Sequence, residues 1–507
     1  MTLEQHSPSG PHQLRARRLG LFAQHESIVL MRRDCHVCRS EGLSARSQVL
    51  LTAGGRDIYA TLYQLDGDLI ELDEAALSEE AWRLLGVAPG APIEVRHAPA
   101  LESMSSVRRR IYGSRLDGPA IAAIVGDVAA GRYTDVHLAA FLTASSALPL
   151  DESETISLTK AMVDVGDRLS WKADMVVDKH CVGGLPGNRT TPIVVAILTA
   201  CGLVCPKTSS RAITSPAGTA DTMETLAPVD LDLAAMRRVV EAEGGCIVWG
   251  GAVNLSPADD IFIRVERVLD VDTEGQLVAS VLSKKIAAGS THVVLDLPVG
   301  PTAKVRSEAA GQELAQRLSA VAQYFGVKTR CVITDGSQPV GRGIGPALEA
   351  HDVLAVLQNA AGAPQDLRLR ACLVAGAGLE LAGVAKAGDG LGLAEATLSS
   401  GRAWAKFQAI CEAQGGLKTP PTAPLQTPIL ARRSGRVVHI NNRQIATLAK
   451  LAGAPARKAA GLTLEARLGD DIGAGQPLLT LHAESEGELA YALEYAAAHP
   501  ELVEIQA

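Results

Sequence analysis

The chain has few aromatic residues and no long uncharged hydrophobic segment. Phe, Trp and Tyr together make up 3% of its 507 residues. A transmembrane helix needs roughly 18 or more consecutive apolar residues, and no such run occurs in the sequence. The first residues, MTLEQHSPSGPHQ, also lack the apolar core of a signal peptide. We therefore expect a cytoplasmic protein without a membrane partner.

The chain also lacks an excess of basic residues and a regular spacing of cysteines. Its formal net charge is -8, so we expect no nucleic-acid partner, because no domain-wide basic face can neutralise a phosphate backbone. Its nine cysteines are irregularly spaced, which is typical of free thiols in a reducing compartment. Cys35 and Cys38 have the spacing of zinc ligands, but no second pair of ligands lies nearby, so we expect no metal.

The chain does contain a large apolar fraction rich in small residues. Hydrophobic residues make up 47% of the sequence, and 48 residues are glycine. With so few aromatic side chains, this composition is typical of an α/β enzyme with closely packed helices. A chain of 507 residues exceeds the size that one hydrophobic core usually organises, so we expect about two to four domains.

The first part of the chain changes from strand to helix periodicity. Residues 1–100 alternate short strands, which predicts a small β-rich domain for packing or oligomerisation, with ligand binding as the alternative. Residues 101–170 predict a helical lobe, in which Asp151 or Ser153 caps a helix. Residues 255–288 are again helical, and we expect them to return to this lobe.

The rest of the chain predicts two further domains. Residues 171–254 and 289–425 alternate strands, glycine turns and helices. This order is typical of an open α/β sheet with sites at the carboxyl ends of its strands. Residues 426–507 contain short strands separated by glycine turns, with a short helix between them, and predict a separate C-terminal domain.

A glycine-rich loop at residues 178–191, DKHCVGGLPGNRTT, follows a short apolar run that predicts a buried strand. Thr191 and Pro192 then predict the N-cap and first position of a helix. This order of strand, loop and helix favours binding of an anion, because the free N–H groups and the positive end of the helix dipole attract negative charge. Lys179 adds a full positive charge. The spacing is neither that of the P-loop nor that of the dinucleotide fingerprint, and an ordinary strand-to-helix turn is the alternative. Three glycines allow the backbone to approach a ligand closely: Gly183, Gly184 and Gly187.

A second loop follows at once in residues 208–226, TSSRAITSPAGTADTMETL, after a predicted strand at residues 203–207. Arg211 offers a planar guanidinium, and Asp221 and Glu224 suit the first turn of the next helix. We therefore expect the two loops to converge on one anion. Five hydroxyl groups can donate to phosphate or ribose oxygens: Ser209, Ser210, Thr214, Ser215 and Thr219.

Four segments resemble the thymidine phosphorylase family of pyrimidine nucleoside phosphorylases. The likeness begins at about Glu102, and the additional N-terminal domain is similar to the long form typified by archaeal AMP phosphorylase and its bacterial relatives. The segments are KHxxGG at residues 179–184, SSRAITSPAGTADTMETL at residues 209–226, SVLSKK at residues 280–285 and ITDGSQPVGRGIGPALE at residues 333–349.

The resemblance implies a multi-domain α/β fold shared with anthranilate phosphoribosyltransferase. In the family, this fold consists of a helical lobe, an α/β lobe and a C-terminal α+β domain. The implied activity is phosphorolysis by a pentosyltransferase, in which inorganic phosphate is a co-substrate and no cofactor takes part. The implied partners are a nucleoside or nucleotide and phosphate, and the subunits are expected to form a homodimer or a larger homo-oligomer.

The resemblance also implies which residues bind the substrates. The family usually has a serine after its Lys-His pair, and Cys181 stands here instead, which weakens one phosphate donor. Phosphate is expected to contact Lys179, Gly183, Gly184, Thr191, Ser209 and Thr219. The sugar and base are expected to contact Gly184, Ser210, Arg211, Ala212, Ile213, Thr214, Ser215, Thr219, Ser280 and Lys304.

Three residues are expected to act on the departing base. Asp272 is the implied proton donor, which requires a pKa raised by desolvation, and a solvated turn is the alternative. His180 is expected to bond a base carbonyl, with packing as the alternative. Lys284 is expected to hold the pyrimidine, and Lys285 to be a solvated helix charge. A base-binding arginine of the family has two candidates here: Arg264 and Arg267.

Three functions are compatible with these residues. We predict a thymidine phosphorylase that converts thymidine, or another pyrimidine nucleoside, and phosphate to the free base and (deoxy)ribose 1-phosphate. The alternative is a nucleoside 5′-monophosphate phosphorylase that acts on AMP and gives ribose 1,5-bisphosphate. The additional N-terminal domain, the longer loop LPGNRTT and the run SSRAITSPAG favour this alternative. A catalytically silent nucleotide-binding regulator is a third hypothesis, and the presence of Lys179, Asp272 and Lys284 argues against it.

Overall fold

The computed structural model of the chain describes residues 12–24, 26–212, 215–271 and 273–506. Residues 1–144 and residues 145–507 form two units. Within the described ranges, no helix is both long enough and apolar enough to cross a membrane.

The first unit contains a closed six-stranded barrel. Its strands are β1 (Gln13–Arg18), β2 (Ile28–Arg32), β3 (Gln48–Ala53), β4 (Arg56–Leu65), β5 (Glu74–Leu77) and β6 (Pro92–His97). They pair in the order β1-β5-β2-β4-β3-β6. Along β3, Val49 and Leu51 are buried and the residues before and between them are half-buried, which is the period-two pattern of a strand with one face on a core. The helices of this unit are α1 (His36–Glu41), α2 (Glu79–Leu85), α3 (Met104–Ile111) and α4 (Gly118–Ala129), and α5 (Asp135–Ala147) begins in it and extends past its last residue, Ala144.

The second unit begins with α6 (Glu152–Asp164) and continues into an α/β region. Asp151 caps α6 by accepting from the backbone N–H of Glu154, so one of the two predicted caps is confirmed. The strands of the α/β region are β7 (Val177–Cys181), β8 (Cys205–Ser209), β9 (Gly245–Trp249), β10 (His292–Val299) and β11 (Lys328–Asp335). Its helices are α7 (Thr191–Ala200), α8 (Thr219–Glu224), α9 (Leu233–Glu243), α10 (Pro257–Leu269), α11 (Glu274–Ala287), α12 (Glu308–Tyr324), α13 (Pro346–Leu357), α14 (Gln365–Leu381), α15 (Gly390–Ser399) and α16 (Arg402–Ala413).

The strands of the α/β region are parallel, and all except the edge strand β11 are largely buried. β10 lies between β7 and β11, and β8 pairs with β9 beside them, with one bridge from Val176 to Val204. Helices α7 and α14 pack with Val294 on one face of β10, and α11 and α12 pack with Leu295 on the other. Because the strands are parallel, the loops after their carboxyl ends meet at one edge of the sheet. The predicted α/β fold class is confirmed.

The chain ends in two small antiparallel sheets with two helices. One sheet is ordered β12-β15-β17-β13 and the other β16-β14-β18, with bounds β12 (Gly343–Ile344), β13 (Leu425–Leu430), β14 (Gly435–Ile440), β15 (Gly461–Leu464), β16 (Asp471–Ile472), β17 (Pro477–Ala483) and β18 (Val503–Gln506). The helices are α17 (Asn442–Leu451) and α18 (Glu486–Ala498). The division into four domains at the boundaries given above stays a prediction.

Candidate active site

The first glycine loop connects β7 to α7. Gly183, Gly184 and Gly187 have φ angles of +120°, +55° and +71°, which lie in the left-handed region that glycine adopts without strain. A Cβ at Gly187 would overlap the carbonyl oxygen of Val340, so this turn also requires the absence of a side chain. The N-cap of α7 is Thr190, so the predicted cap at Thr191 was wrong by one residue.

Lys179 lies on β7, just before this loop, and is fully buried. Its Nζ donates to Thr190 Oγ1 at 2.8 Å and to Thr191 Oγ1 at 3.5 Å. The same ammonium group lies 4.0 Å from Asp296 Oδ2. The loop therefore holds a desolvated positive charge among hydroxyl groups at the start of a helix.

Cys181, which stands where the family has a serine, lies in a polar contact network. Asn188 Nδ2 is 3.0 Å from Cys181 Sγ and 3.1 Å from Asp296 Oδ2, and Thr334 Oγ1 donates to Asp296 Oδ1 at 2.7 Å. Burial, with the nearby Asp296 carboxylate, raises the pKa of Cys181 to about 12. The thiol is therefore protonated at neutral pH and retains a weak S–H donor in place of a hydroxyl.

The second loop is closed by one carboxylate oxygen. Asp221 Oδ2 accepts from the backbone N–H of Ala212 at 2.6 Å and of Gly218 at 2.9 Å. A Cβ at Gly218 would lie 2.5 Å from the carbonyl oxygen of Ser210, so the two sides of the loop pass in direct contact. Ser209, at the end of β8, is 6% exposed, and its Oγ has no hydrogen-bond partner among the described residues. It is a buried donor available to a ligand.

Arg189 connects the two loops, and the sequence interpretation missed it. Its guanidinium donates to Glu349 Oε2 at 2.6 Å, to Thr219 Oγ1 at 2.8 Å and to the carbonyl oxygen of Ala217 at 2.8 Å. Burial raises the pKa of Glu349, and the Arg189 charge opposes this shift. Two signals pointed to Arg189: its position beside the helix start in LPGNRTT, and Glu349 in the motif at residues 333–349. Through this arginine, Thr219 is brought next to the residues around Lys179.

Arg211 lies among carboxylates. Its guanidinium forms two bonds to Glu224, at 2.9 and 3.0 Å, and lies 3.5 Å from both Asp221 and Asp230. The hydrogen bonds from Arg211 lower the pKa of Glu224 to about 2, and Lys458 Nζ approaches Glu224 Oε2 at 2.5 Å. In this arrangement the guanidinium of Arg211 stabilises the loop and is already paired with acidic groups.

Helix α11 supplies a second charged pair with a buried partner. Lys284 Nζ lies 2.8 Å from Asp259 Oδ2 and donates to Asp260 Oδ1 at 3.0 Å. Ser280 Oγ, one turn earlier, donates to the same Asp259 oxygen at 3.0 Å. Burial by itself lowers the pKa of Lys284, but the two carboxylates outweigh this effect, so the pKa is raised. The predicted base-binding residues Ser280 and Lys284 therefore lie on one helix face, and Lys284 is charged at neutral pH.

His180 lies near Lys284 and near Lys285, which was predicted to be solvated. That prediction was wrong, because Lys285 is 2% exposed and its Nζ lies 2.8 Å from Asp178 Oδ2. Burial, followed by the charges of Lys285, Lys207, Lys179 and Lys284, lowers the pKa of His180 well below its usual value. The imidazole is therefore neutral at neutral pH, with one nitrogen able to donate and the other able to accept.

The remaining predicted residues are partly described. Lys304 lies against the first loop, because a Cβ at Gly183 would be 3.3 Å from Lys304 Cβ. Ser215 Oγ donates to the carbonyl oxygen of Ala217 at 2.8 Å. Both candidate arginines, Arg264 and Arg267, lie on α10. Three predicted site residues lie outside the described residues: Ile213, Thr214 and Asp272.

Cys35 and Cys38 form a local contact in the barrel. Cys35 caps α1, and its Sγ accepts from the backbone N–H of Cys38 at 3.2 Å. Across residues 12–24, 26–212, 215–271 and 273–506, no group of three or more His, Cys, Asp or Glu side chains is arranged to hold a metal ion.

Three family models match the chain. "Glycosyl transferase family, helical bundle domain" matches residues 105–166, and "Glycosyl transferase family, a/b domain" matches residues 173–404. "Pyrimidine nucleoside phosphorylase C-terminal domain" matches residues 436–502. The three models follow one another in the order predicted from the resemblance.

Two relatives are similar over nearly the whole chain. A protein of Chelativorans sp. (strain BNC1) is 70% identical over 504 residues, which is 99% of each chain. A protein of Tolumonas auensis is 66% identical over 482 residues, which is 95% of each chain. Both carry the name "Putative thymidine phosphorylase". The chain belongs to the thymidine and pyrimidine nucleoside phosphorylase family. It is therefore a glycosyltransferase of the pentosyltransferase class.

A solved structure shares the fold of this nucleoside phosphorylase family member. The anthranilate phosphoribosyltransferase of Thermus thermophilus matches with a TM-score of 0.51 and 22% identity, over 61% of this chain and 99% of that chain. At this identity the likeness shows the fold alone. The predicted family and the predicted relation to the phosphoribosyltransferase fold are confirmed.

Proposed function

We propose that the enzyme catalyses the phosphorolysis of a pyrimidine nucleoside, with thymidine as the preferred substrate, to the free base and (deoxy)ribose 1-phosphate. The name carried by the two relatives supports this substrate. The observation that carries the proposal is that Arg189 joins the two loops. Its guanidinium donates to Thr219 Oγ1 at 2.8 Å, and the next residue along the chain, Thr190, accepts from Lys179 at 2.8 Å. Arg189 thus links the second loop to the loop that holds the desolvated ammonium group of Lys179.

The buried charges of this region favour an anion. Lys179 faces Asp296, Lys207 and Lys285 face Asp178, and all five residues are nearly fully buried. With every group ionised, three positive charges meet two negative charges, and one positive charge is left. A buried uncompensated charge is unfavourable, so a bound phosphate stabilises the site.

The reaction assigns a role to each side of the site. Phosphate held by Lys179, Thr191 and Ser209 supplies the oxygen that forms a bond to C1′ of the sugar. The bond from C1′ to the base nitrogen breaks, and its electron pair goes to the base. The charged Lys284 stabilises this negative charge, and the neutral His180 bonds a base carbonyl. In this proposal Asp272 is the proton donor, and its carboxyl group gives its proton to the departing base.

A nucleoside 5′-monophosphate is the second candidate substrate. The hydroxyl-rich run SSRAITS favours it, because a 5′-phosphate requires several fixed donors. The contacts of Arg211 weigh against it, since this guanidinium is already paired with Glu224 at 2.9 and 3.0 Å. Backbone N–H groups and hydroxyls would then have to meet the 5′-phosphate without that charge. We therefore place thymidine first and AMP second.

The test is a base-release assay on the full chain with and without inorganic phosphate. Thymidine, uridine, AMP and CMP are compared at equal concentration, and the sugar product is identified. We expect phosphate-dependent release that is fastest with thymidine, giving a sugar 1-phosphate. Faster release from AMP or CMP, with a sugar 1,5-bisphosphate, would establish the second candidate. Binding of these compounds without release of any base would indicate the silent regulator instead.

A further inference from the structure

Asp178 lies between two buried lysines. Lys285 Nζ is 2.8 Å from Asp178 Oδ2, and Lys207 Nζ is 3.6 Å from Asp178 Oδ1. Asp178 is 1% exposed, Lys285 is 2% exposed and Lys207 is 4% exposed. One carboxylate cannot neutralise two ammonium groups. The cluster Asp178–Lys207–Lys285 therefore carries one positive charge too many when both lysines are protonated.

The two lysines are not equivalent. Lys285 makes the short contact to Asp178, whereas Lys207 lies farther from it and donates to the carbonyl oxygen of Thr208 on its own strand. Burial lowers the pKa of Lys207 to about 7; Asp178 opposes this shift and Lys285 adds to it. Lys207 therefore loses its proton near neutral pH as the pH rises.

The neighbours of Lys207 do not change charge in the same range. Burial raises the pKa of the thiols of Cys205 on β8 and Cys246 on β9, so both are neutral. His180 on β7 is neutral because its pKa is lowered. Asp178 on β7 is ionised, since Lys207 and Lys285 overcome the effect of its burial and lower its pKa. A change of charge near neutral pH is thus confined to Lys207.

The cluster is interleaved with the proposed phosphate ligands. Asp178 directly precedes Lys179 on β7. Lys207 lies two residues before Ser209 on β8, so the side chains of Lys207 and Ser209 share one face of that strand. Ser209 Oγ is buried and has no partner among the described residues. A phosphate that accepts from Ser209 lies on the strand face that also carries Lys207, in a region where water does not screen its charge.

We propose that Lys207 is a reserve positive charge of the phosphate site, which takes up a proton from solvent when phosphate binds. This inference rests on the proposed function, because it requires a phosphate at the two loops. The bound anion compensates the second ammonium group of the cluster, and the protonated Lys207 in turn stabilises the anion. Phosphate affinity then decreases above neutral pH, by up to about tenfold per pH unit for the one proton involved.

The experiment is calorimetric titration of the full chain with inorganic phosphate in buffers of different ionisation enthalpy, which counts the protons taken up. At about pH 8.5 free phosphate is almost entirely the dianion, so a proton taken up there goes either to the protein or to the bound phosphate, and the Lys207→Arg variant distinguishes the two. We expect uptake approaching one proton at about pH 8.5 and much less at about pH 6, because Lys207 is already protonated at the lower pH.

Two variants identify the lysine responsible. Lys207→Arg keeps a charge that does not titrate, so it should bind phosphate at both pH values without the uptake. Lys285→Met removes the repulsion, so Lys207 stays protonated and the uptake again disappears. Lys172→Met, at an exposed lysine paired only with Glu241 in the described contacts, should retain the uptake of the unmodified protein.

The outcomes separate this inference from the proposed function. Phosphate binding without proton uptake in the unmodified protein would overturn the role of Lys207 and leave phosphorolysis standing. Undiminished uptake in Lys207→Arg or in Lys285→Met would also overturn it, by placing the proton on another group. Failure of the unmodified protein to bind phosphate at either pH would overturn the proposed function and the inference with it. If Lys207→Arg does not fold, the Lys285→Met variant and the comparison between the two pH values still test the role of Lys207.

Discussion

Replacing Lys179 with methionine removes the charge at the centre of the proposed phosphate site. The side chain is fully buried, and methionine fills a similar volume without a donor. Asp296 loses an ammonium group 4.0 Å away but retains its bonds from Asn188 and Thr334. The Asp296 carboxylate is left buried without a cation, so some stability should be lost, and in the folded protein the loss of activity should fall on the binding of phosphate.

The size of the loss follows from the burial of the ammonium group. A hydrogen bond to a charged group contributes about 1.5 to 3 kcal/mol. At about 1.36 kcal/mol per factor of ten, this corresponds to a decrease of about 10- to 160-fold in kcat/KM for phosphate. Solvent screening does not reduce the effect, because Lys179 has no exposed surface.

The assay measures initial rates of phosphorolysis with phosphate varied at saturating thymidine, and then with thymidine varied at saturating phosphate. Lys179→Met should raise the KM for phosphate and lower kcat, with little change in the KM for thymidine. Lys172→Met is the matched control, because that lysine is 91% exposed and should leave both constants unchanged. An unaltered phosphate KM in a folded Lys179→Met protein would refute the assignment of the first loop to phosphate.

Three further predictions concern the two loops and the base site. Because His180 resists protonation in the native state while the unfolded state binds a proton below about pH 6.5, stability should fall by up to about 1.4 kcal/mol between about pH 7.5 and about pH 5.5. Urea unfolding of His180→Asn should show a smaller loss, and an equal loss would contradict the neutral imidazole. Gly187→Ala should lower Tm and activity more than Gly202→Ala. Both glycines have positive φ, but only a Cβ at Gly187 would overlap the backbone. Equal Tm values for the two variants would argue against this close contact. If monophosphates are substrates, Thr214→Ala with Ser215→Ala should decrease kcat/KM for AMP by about 2 to 4 kcal/mol and for thymidine much less, whereas equal decreases would assign the loop to inorganic phosphate or to the fold.

The local geometry of the first loop followed from the sequence with few errors. All three predicted glycines have positive φ, because the turn after a buried strand requires a backbone that other residues adopt only with strain. The helix after the loop was also predicted, with its cap misplaced from Thr190 to Thr191. Two adjacent threonines offer the same side-chain chemistry, and only the backbone angles distinguish the cap from the first helical residue.

The partners of the charged residues did not follow from the sequence. Lys285 was predicted to be a solvated helix charge, yet it is buried against Asp178. Arg211 was assigned to the substrate, and its guanidinium pairs with Glu224. Helical periodicity cannot decide such cases, since the burial of a long charged side chain depends on which strand lies beneath its helix.

The family, the α/β fold class and the order of strand, glycine loop and helix follow from the sequence, because these depend on motifs and spacings within a few turns of the chain. How the two loops are joined is seen only in the folded protein. Arg189 and Glu349 are 160 positions apart, and no local pattern reports their bond of 2.6 Å. The balance of charge around Asp178 was decided in the same way, since two strands and a helix bring Lys207 and Lys285 to one carboxylate. Short-range preferences fix backbone conformation, whereas the energy of a buried charge depends on neighbours that only folding brings together.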